Sequence, residues 1–267
     1  MIENSAAIEF CRVQFKKEEP ERYFISLFAP KTVQASLWSI FAFNSELSRI
    51  KNSVTEPMIG RIRLQWWRES LEKLEENNSR GHYILEALQT LLAQKVIQLS
   101  DLMSLLDARE IEFEETPNRS IKDILKYTES TDGLLTELSA KITGCRSDDI
   151  NWAKKIGTSW GLIEIAANNN SKFKTTNSNK TGISNSTRLD NDLILKTEEI
   201  LTHASNSLEG FRPNFRNQKN RVFNLMVPTI KIDIARLRRT NANNYVRSDH
   251  GIFAKQLRIC RAAWLGF

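Results

Sequence analysis

Carboxylates crowd one short stretch of this 267-residue chain: Asp107, Glu110, Glu112, Glu114 and Glu115 fall within nine residues, with Arg109 among them. Clustered carboxylates can hold a divalent cation or move a proton. Glutamates at alternating positions point around a helix instead of converging, so the stretch reads as a solvated helical face. His82, His203 and His250 stand alone, with neither a nucleophile nor a metal-ligand spacing beside them, and read as structural or surface residues. Cys11, Cys145 and Cys260 are odd in number and widely separated, which suggests neither a disulfide frame nor a zinc site and fits a reducing, cytoplasmic compartment. No glycine-rich phosphate loop occurs, and Trp66-Trp67 reads as one core residue beside one interfacial residue.

The elements that must position these groups are helices. Gly and Pro together number only 16, too few for the turns of an all-β or doubly wound fold. From Thr32 to Val54 the apolar residues recur at three, four and seven, the mark of one helical face. Thr55 and Pro57 open the next helix, whose stripe is Met58, Ile62, Trp66, Leu71 and Leu74. Further helices are predicted over 81–97, Ser100–Glu115, Ser120–Thr143, Asp148–Ala167, Leu193–Leu208, Phe223–Arg239 and His250–Trp264. Ser120 with Asp123 matches a capping box. Residues 168–191, with seven Asn, four Ser and four Thr, predict a flexible polar loop inside a single domain spanning 1–267.

Charge is uneven. The net charge is +6, yet residues 208–267 hold twelve Lys and Arg against three acids. Arg236, Arg238, Arg239, Arg247, Arg258 and Arg261 interleave there with Ile234, Leu237, Phe253, Leu257 and Trp264, a basic amphipathic face suited to an anionic partner: anionic lipid headgroups, a diphosphate, an acidic protein face or nucleic acid. No nucleic-acid module accompanies it, so nucleic acid is not the expected partner. No run is long and apolar enough to cross a bilayer, and Glu3 and Glu9 stand where a targeting leader would be basic. Cytoplasmic residence, with peripheral contact on the inner face of a membrane, is the expectation.

The stretch from Arg22 to Glu72 carries RY, LFAP, FAFN-EL, V-EP-x2-G and IRLQWW in that order. It resembles the squalene/phytoene synthase family, and within it the divergent branch that includes phytoene-synthase-like mitochondrial complex I assembly factors. Weaker similarity follows in LLDAREIEF (105–113), in Tyr127 to Gly133 and around Gly157 and Gly161. The resemblance implies the all-α isoprenoid (terpenoid) synthase fold, a helical bundle around a central cavity.

Active members of the family join two isoprenyl diphosphates, and their two Asp-rich motifs hold Mg²⁺ against the leaving diphosphate. Matched residue by residue, the first motif's aspartates fall on Ser48, Arg49 and Asn52. With Gly157 on the family glycine, the second motif falls on Gly161, Glu164, Ala167, Asn168 and Lys172. Both motifs are degenerate, so the resemblance implies no bound metal and no cofactor, lost catalysis, and a role as an accessory or assembly factor, with a membrane respiratory complex as partner. Cavity candidates are Glu46, Glu112, Gly157 and Gly161; the counterpart of Glu112 lines the pocket entrance in active members. Two alternatives stay open: a working head-to-head prenyltransferase, with Mg²⁺ on displaced ligands such as Glu46, Glu112 and Glu164, and a non-catalytic binder of isoprenoid or lipid.

Overall fold

Side chains four residues apart build the first helix, α1 (Ser5–Glu18), which buries Ala7, Cys11 and Phe15 on one face. Pro20 then opens α2 (Pro20–Ser26), where its missing N–H costs nothing. The sequence reading had no element here. The computed structural model describes residues 5–74, 81–114, 120–178, 186–239 and 250–265, with backbone alone at Ser5, 169–178, 186–195, 250–255 and Leu265.

Two long helices organise the bundle. The first, α3 (Lys31–Asn52), starts after Pro30 and buries Leu37, Ile40, Phe41, Leu47 and Ile50, as the spacing predicted. It packs against α1, against α4 (Pro57–Glu72) and against α5 (Tyr83–Ala93). Phe15 stacks on Phe41 at 4.5 Å between ring centroids, and Phe43 meets Trp67 edge-on at 5.4 Å. As expected of the tryptophan pair, Trp67 is buried and Trp66 lies at the surface.

The helix expected over Ser100–Glu115 is shorter. Here α6 (Leu99–Asp107), capped reciprocally by Gln98 and Asp101, gives way to a 3-10 turn at Glu110–Phe113. The helix expected over Ser120–Thr143 is three pieces: α7 (Ile121–Thr128), a π segment (Glu129–Gly133) and α8 (Leu134–Ile142). Ser120 and Asp123 do form the expected capping box.

The second long helix is α9 (Ser147–Ser178), packed by α8, by the π segment, by α10 (Ser186–Asn206) and by α11 (Arg221–Arg239). Last comes α12 (His250–Leu265), resting on α11 and α2. The polar loop expected over 168–191 is therefore corrected: α9 continues to Ser178 and α10 begins at Ser186, while 179–185 lie outside the described residues. Asn, Ser and Thr each cost only some tenths of a kcal/mol in a helix, and propagation from an existing helix is cheap. Residues 168–178 contain neither Pro nor Gly to stop it. Among the described residues there is no strand, and no helix is long and apolar enough to cross a membrane.

Candidate functional site

Helices α3 and α9 face each other across a cavity of about 650 Å³. From α3 come Asn44, Ser45, Ser48, Arg49 and Asn52; from α9 come Trp160, Gly161, Glu164, Ile165 and Asn168. The α1–α2 junction adds Lys17 to Arg22, and Arg109, Tyr127 and Asp132 complete the wall. Six positions matched to the two family motifs, Ser48, Arg49, Asn52, Gly161, Glu164 and Asn168, thus meet in one place, although the two sets lie more than a hundred residues apart in the chain; Ala167 is not part of the wall.

Two buried arginines dominate the wall. Arg22 donates to Glu19 at 2.8 Å and to Asp132, and its guanidinium lies 5.0 Å from the Trp160 ring centroid. Burial opposes its charge, but Asp132 and Glu19 outweigh that and hold its pKa above the usual range. Arg109 donates to Glu112 at 2.8 Å, to the Tyr127 hydroxyl at 2.9 Å and to Asn44 Oδ1 at 3.0 Å. Tyr127 in turn donates its hydroxyl to Glu112. Burial in the first place, helped by the Glu112 carboxylate, pushes the Tyr127 pKa upward and keeps the phenol protonated.

Asp132 reaches the cavity because the π segment carries an i→i+5 turn within an otherwise α-helical run, a distortion that re-aims side chains. Close approach by α9 is the second requirement. A Cβ on Gly157 would stand 2.2 Å from the Asp132 carbonyl oxygen, and one on Gly161 would stand 2.6 Å from Asp132 Oδ2. Gly157 is therefore a packing residue and does not line the cavity; Gly161 does both.

Other expectations change as well. Glu112 does not line the cavity or face solvent: its side chain is 5% exposed and sits between Arg109 and Tyr127. A 3-10 turn repeats every three residues, so Arg109 and Glu112 point the same way, and the reading of a solvated acidic face fails there. Glu46 also leaves the main cavity. It accepts from Gln14 at 2.8 Å and from Arg49 at 2.7 Å, and lines a smaller groove of about 250 Å³ with Trp66, Trp67 and His82. His82 is half-buried against both indole rings, at 5.7 and 5.2 Å, and burial lowers its pKa. Lys172 is on the described backbone of α9, with its side chain outside the description.

These residues do not fit a Mg²⁺–diphosphate clamp, which needs several hard anionic oxygens on facing helices. On α3, Ser48 spends its hydroxyl on the Ser45 carbonyl at 3.0 Å, and Arg49 brings a cation. On α9, Glu164 is the acid facing the cavity. Among the described residues, no three Asp, Glu, His or Cys side chains group to hold a metal. The cavity's acids Glu18, Glu19, Glu21 and Asp132 come from segments that the family motifs do not mark, and the sequence reading missed them together with Arg22 and Arg109. The signal available was the pairing of RY with the Tyr127–Gly133 stretch, both already noted as family-like.

The basic face is divided. Arg238, Arg239, Arg258 and Arg261 are exposed, Arg236 is half-buried, and Arg247 lies outside the described residues. Arg238 approaches Glu198 at 3.7 Å.

An all-helical bundle with a cavity between two long helices defines an isoprenoid-synthase type of protein. Squalene synthase HpnC from Alicyclobacillus acidocaldarius superposes with a TM-score of 0.65 at 14% identity, covering 90% of this chain and 96% of that one. A dehydrosqualene synthase solved with ligand also gives 0.65, at 13% identity over 96% of each chain. The squalene/phytoene synthase family profile matches residues 15–168, and the chain belongs to that family. Human NADH dehydrogenase (ubiquinone) complex I, assembly factor 6, is 28% identical over 155 residues, 58% of this chain and 46% of that protein. The Drosophila melanogaster homolog of that factor is 28% identical over 174 residues, 61% of this chain and 50% of that protein. The chain thus spans about half the length of the curated relatives it matches.

Proposed function

We propose that this protein is a non-catalytic member of the squalene/phytoene synthase family that acts as an accessory or assembly factor for a respiratory membrane complex. The observation that carries this reading is the content of the cavity where the family's two metal motifs meet. Ser48, Arg49 and Asn52 face Gly161, Glu164 and Asn168, a set with one carboxylate where a metal clamp needs several. Similarity to complex I assembly factors supplies the partner class. The chain acts without a resident metal or cofactor and, on this reading, from the membrane surface.

Of the three ligands the displaced-ligand prenyltransferase would use, Glu164 alone lines the cavity, since Glu46 opens on another groove and Glu112 is enclosed by Arg109 and Tyr127. Two measurements test the proposal. Calorimetric titration with farnesyl and geranylgeranyl diphosphate, with and without Mg²⁺, should yield no product; Mg²⁺-dependent turnover overturns it. Deleting the gene should deplete the assembled NADH dehydrogenase complex, and normal assembly in the deletion strain overturns the partner assignment.

A further inference from the structure

Six large apolar side chains form one exposed band across three helices. On α4 they are Met58, Ile62 and Trp66, spaced four residues apart and therefore on one ridge about 12 Å long. The Trp66 ring lies 5.7 Å from that of His82, which precedes Tyr83 at the start of α5. Tyr83 stands 5.3 Å from Phe10 of α1, ring to ring, and Val13 follows Phe10 by one turn. Met58 and Ile62 are each 61% exposed, Val13 52%, Tyr83 46%, Phe10 40% and Trp66 39%. Together they leave roughly 600 Å² of apolar surface in water, the upper end of what a monomer keeps exposed.

We infer that this band is the interface through which two copies of the chain pair about a twofold axis. The area selects a second copy as the occupant. Each partner of a standard interface buries about 800 Å², some two thirds of it apolar in homodimers, and the band supplies that share by itself. Its order along the surface agrees. Trp66 lies midway, so an axis crossing the band there lays its aliphatic end, Met58 and Ile62, on the other copy's Phe10 and Val13. The groove of about 250 Å³ that opens beside Trp66, walled by Trp67 and His82, is offered by the same symmetry to the other copy's indole. Trp and Tyr at the centre of the contact are the residue types that carry most binding energy in protein interfaces. None of the six side chains lines the main cavity, so the inference is independent of whether the cavity retains chemistry.

The test is sedimentation equilibrium of the full chain over a range of concentrations, and a species of twice 30.7 kDa is expected. Ile62→Glu and Phe10→Lys, made separately, each place two charges in the apolar contact and should raise the dimer dissociation constant about a hundredfold or more. Both positions are exposed in the single chain, so circular dichroism and the melting temperature of the variants, measured where the wild type is also monomeric, should match it. Mixing the two variants sets the new carboxylate of one against the new ammonium of the other and should restore the dimer. Three outcomes overturn the inference: a monomer at every concentration, a dimer that both variants leave intact, or a mixture that stays monomeric. A monomer that floats with phosphatidylcholine vesicles, and stops doing so on Ile62→Glu, would assign the band to lipid and overturn it as well.

Discussion

Asp132→Ala is expected to unsettle the scaffold from inside the cavity. Arg22 is 4% exposed and holds two carboxylates, Glu19 at 2.8 Å and Asp132. Removing one partner of a buried ion pair costs about 3–5 kcal/mol, because the remaining charge is left in a poor solvent. Glu19 stays in place, which sets the expectation at the low end, about 3 kcal/mol. In a chain of this size each kcal/mol moves the melting temperature by roughly 2–3 °C, so the variant should melt roughly 6–9 °C lower. Arg22→Met combined with Asp132→Ala removes the buried cation as well, and the double variant should be more stable than Asp132→Ala alone. Urea denaturation followed by circular dichroism, run on the wild type and both variants, reads these differences. A loss below about 1 kcal/mol for Asp132→Ala would place the pair among weak surface bridges. A double variant less stable than the single one would refute the idea that the uncompensated guanidinium is the source of the loss.

Three further outcomes are expected. Gly157→Ala forces a methyl to within 2.2 Å of a backbone oxygen and 2.3 Å of Thr136 Oγ1, so it should destabilise by about 3 kcal/mol or more despite a helix-propensity gain of about 1 kcal/mol. Gly161→Ala meets a side-chain oxygen instead and should cost less, and less again in an Asp132→Ala background; denaturation of the four proteins checks the order. Burial holds His82 below its ordinary pKa, so the unfolded chain takes up that proton at higher pH than the folded one. Stability should therefore fall as pH drops through the histidine range, about 6.5, toward the folded value, and His82→Gln should flatten that slope in urea titrations. Burial pushes the Cys11 thiol up to about 12, so mass spectrometry after thiol labelling should find it unmodified in the native protein and modified in denaturant.

Helix identity was legible wherever the apolar stripe was strong and an end was marked. Pro57 and the Ser120–Asp123 box start their helices where the sequence put them. Helix α1 escaped notice because two of its buried positions are Ala7 and Cys11, small residues that add little to an apolar stripe. Lacking a stop, α9 overran the predicted loop, since polar composition alone does not end a helix. At the site, Ser48, Arg49, Asn52, Gly161, Glu164 and Asn168 line one cavity. Asp132 was hidden for a different reason. Its aim depends on a π turn whose extra residue shifts the face presented to α9, and no local composition marks such a turn.

The charge on the cavity wall explains how the site can lose its metal motifs and keep its shape. Its lining holds five acids, Glu18, Glu19, Glu21, Asp132 and Glu164, against the four bases Lys17, Arg22, Arg49 and Arg109. A difference of one cannot neutralise a cluster of divalent cations, whereas an enzyme built on such a cluster must carry a clear surplus of carboxylate. The two most buried bases are already spoken for: Arg22 by Glu19 and Asp132, Arg109 by Glu112 and Asn44. Their partners come from α2's approach, α3, the 3-10 turn and the π segment, so each guanidinium ties together segments far apart in sequence. A diphosphate entering the cavity would have to displace carboxylates that the fold has placed at hydrogen-bond distance, and breaking those pairs costs the same few kcal/mol that Asp132→Ala is expected to reveal. The arginines that could greet an anionic substrate serve here as internal struts, and the measured size of that loss decides whether the cavity is a binding site or a piece of scaffold.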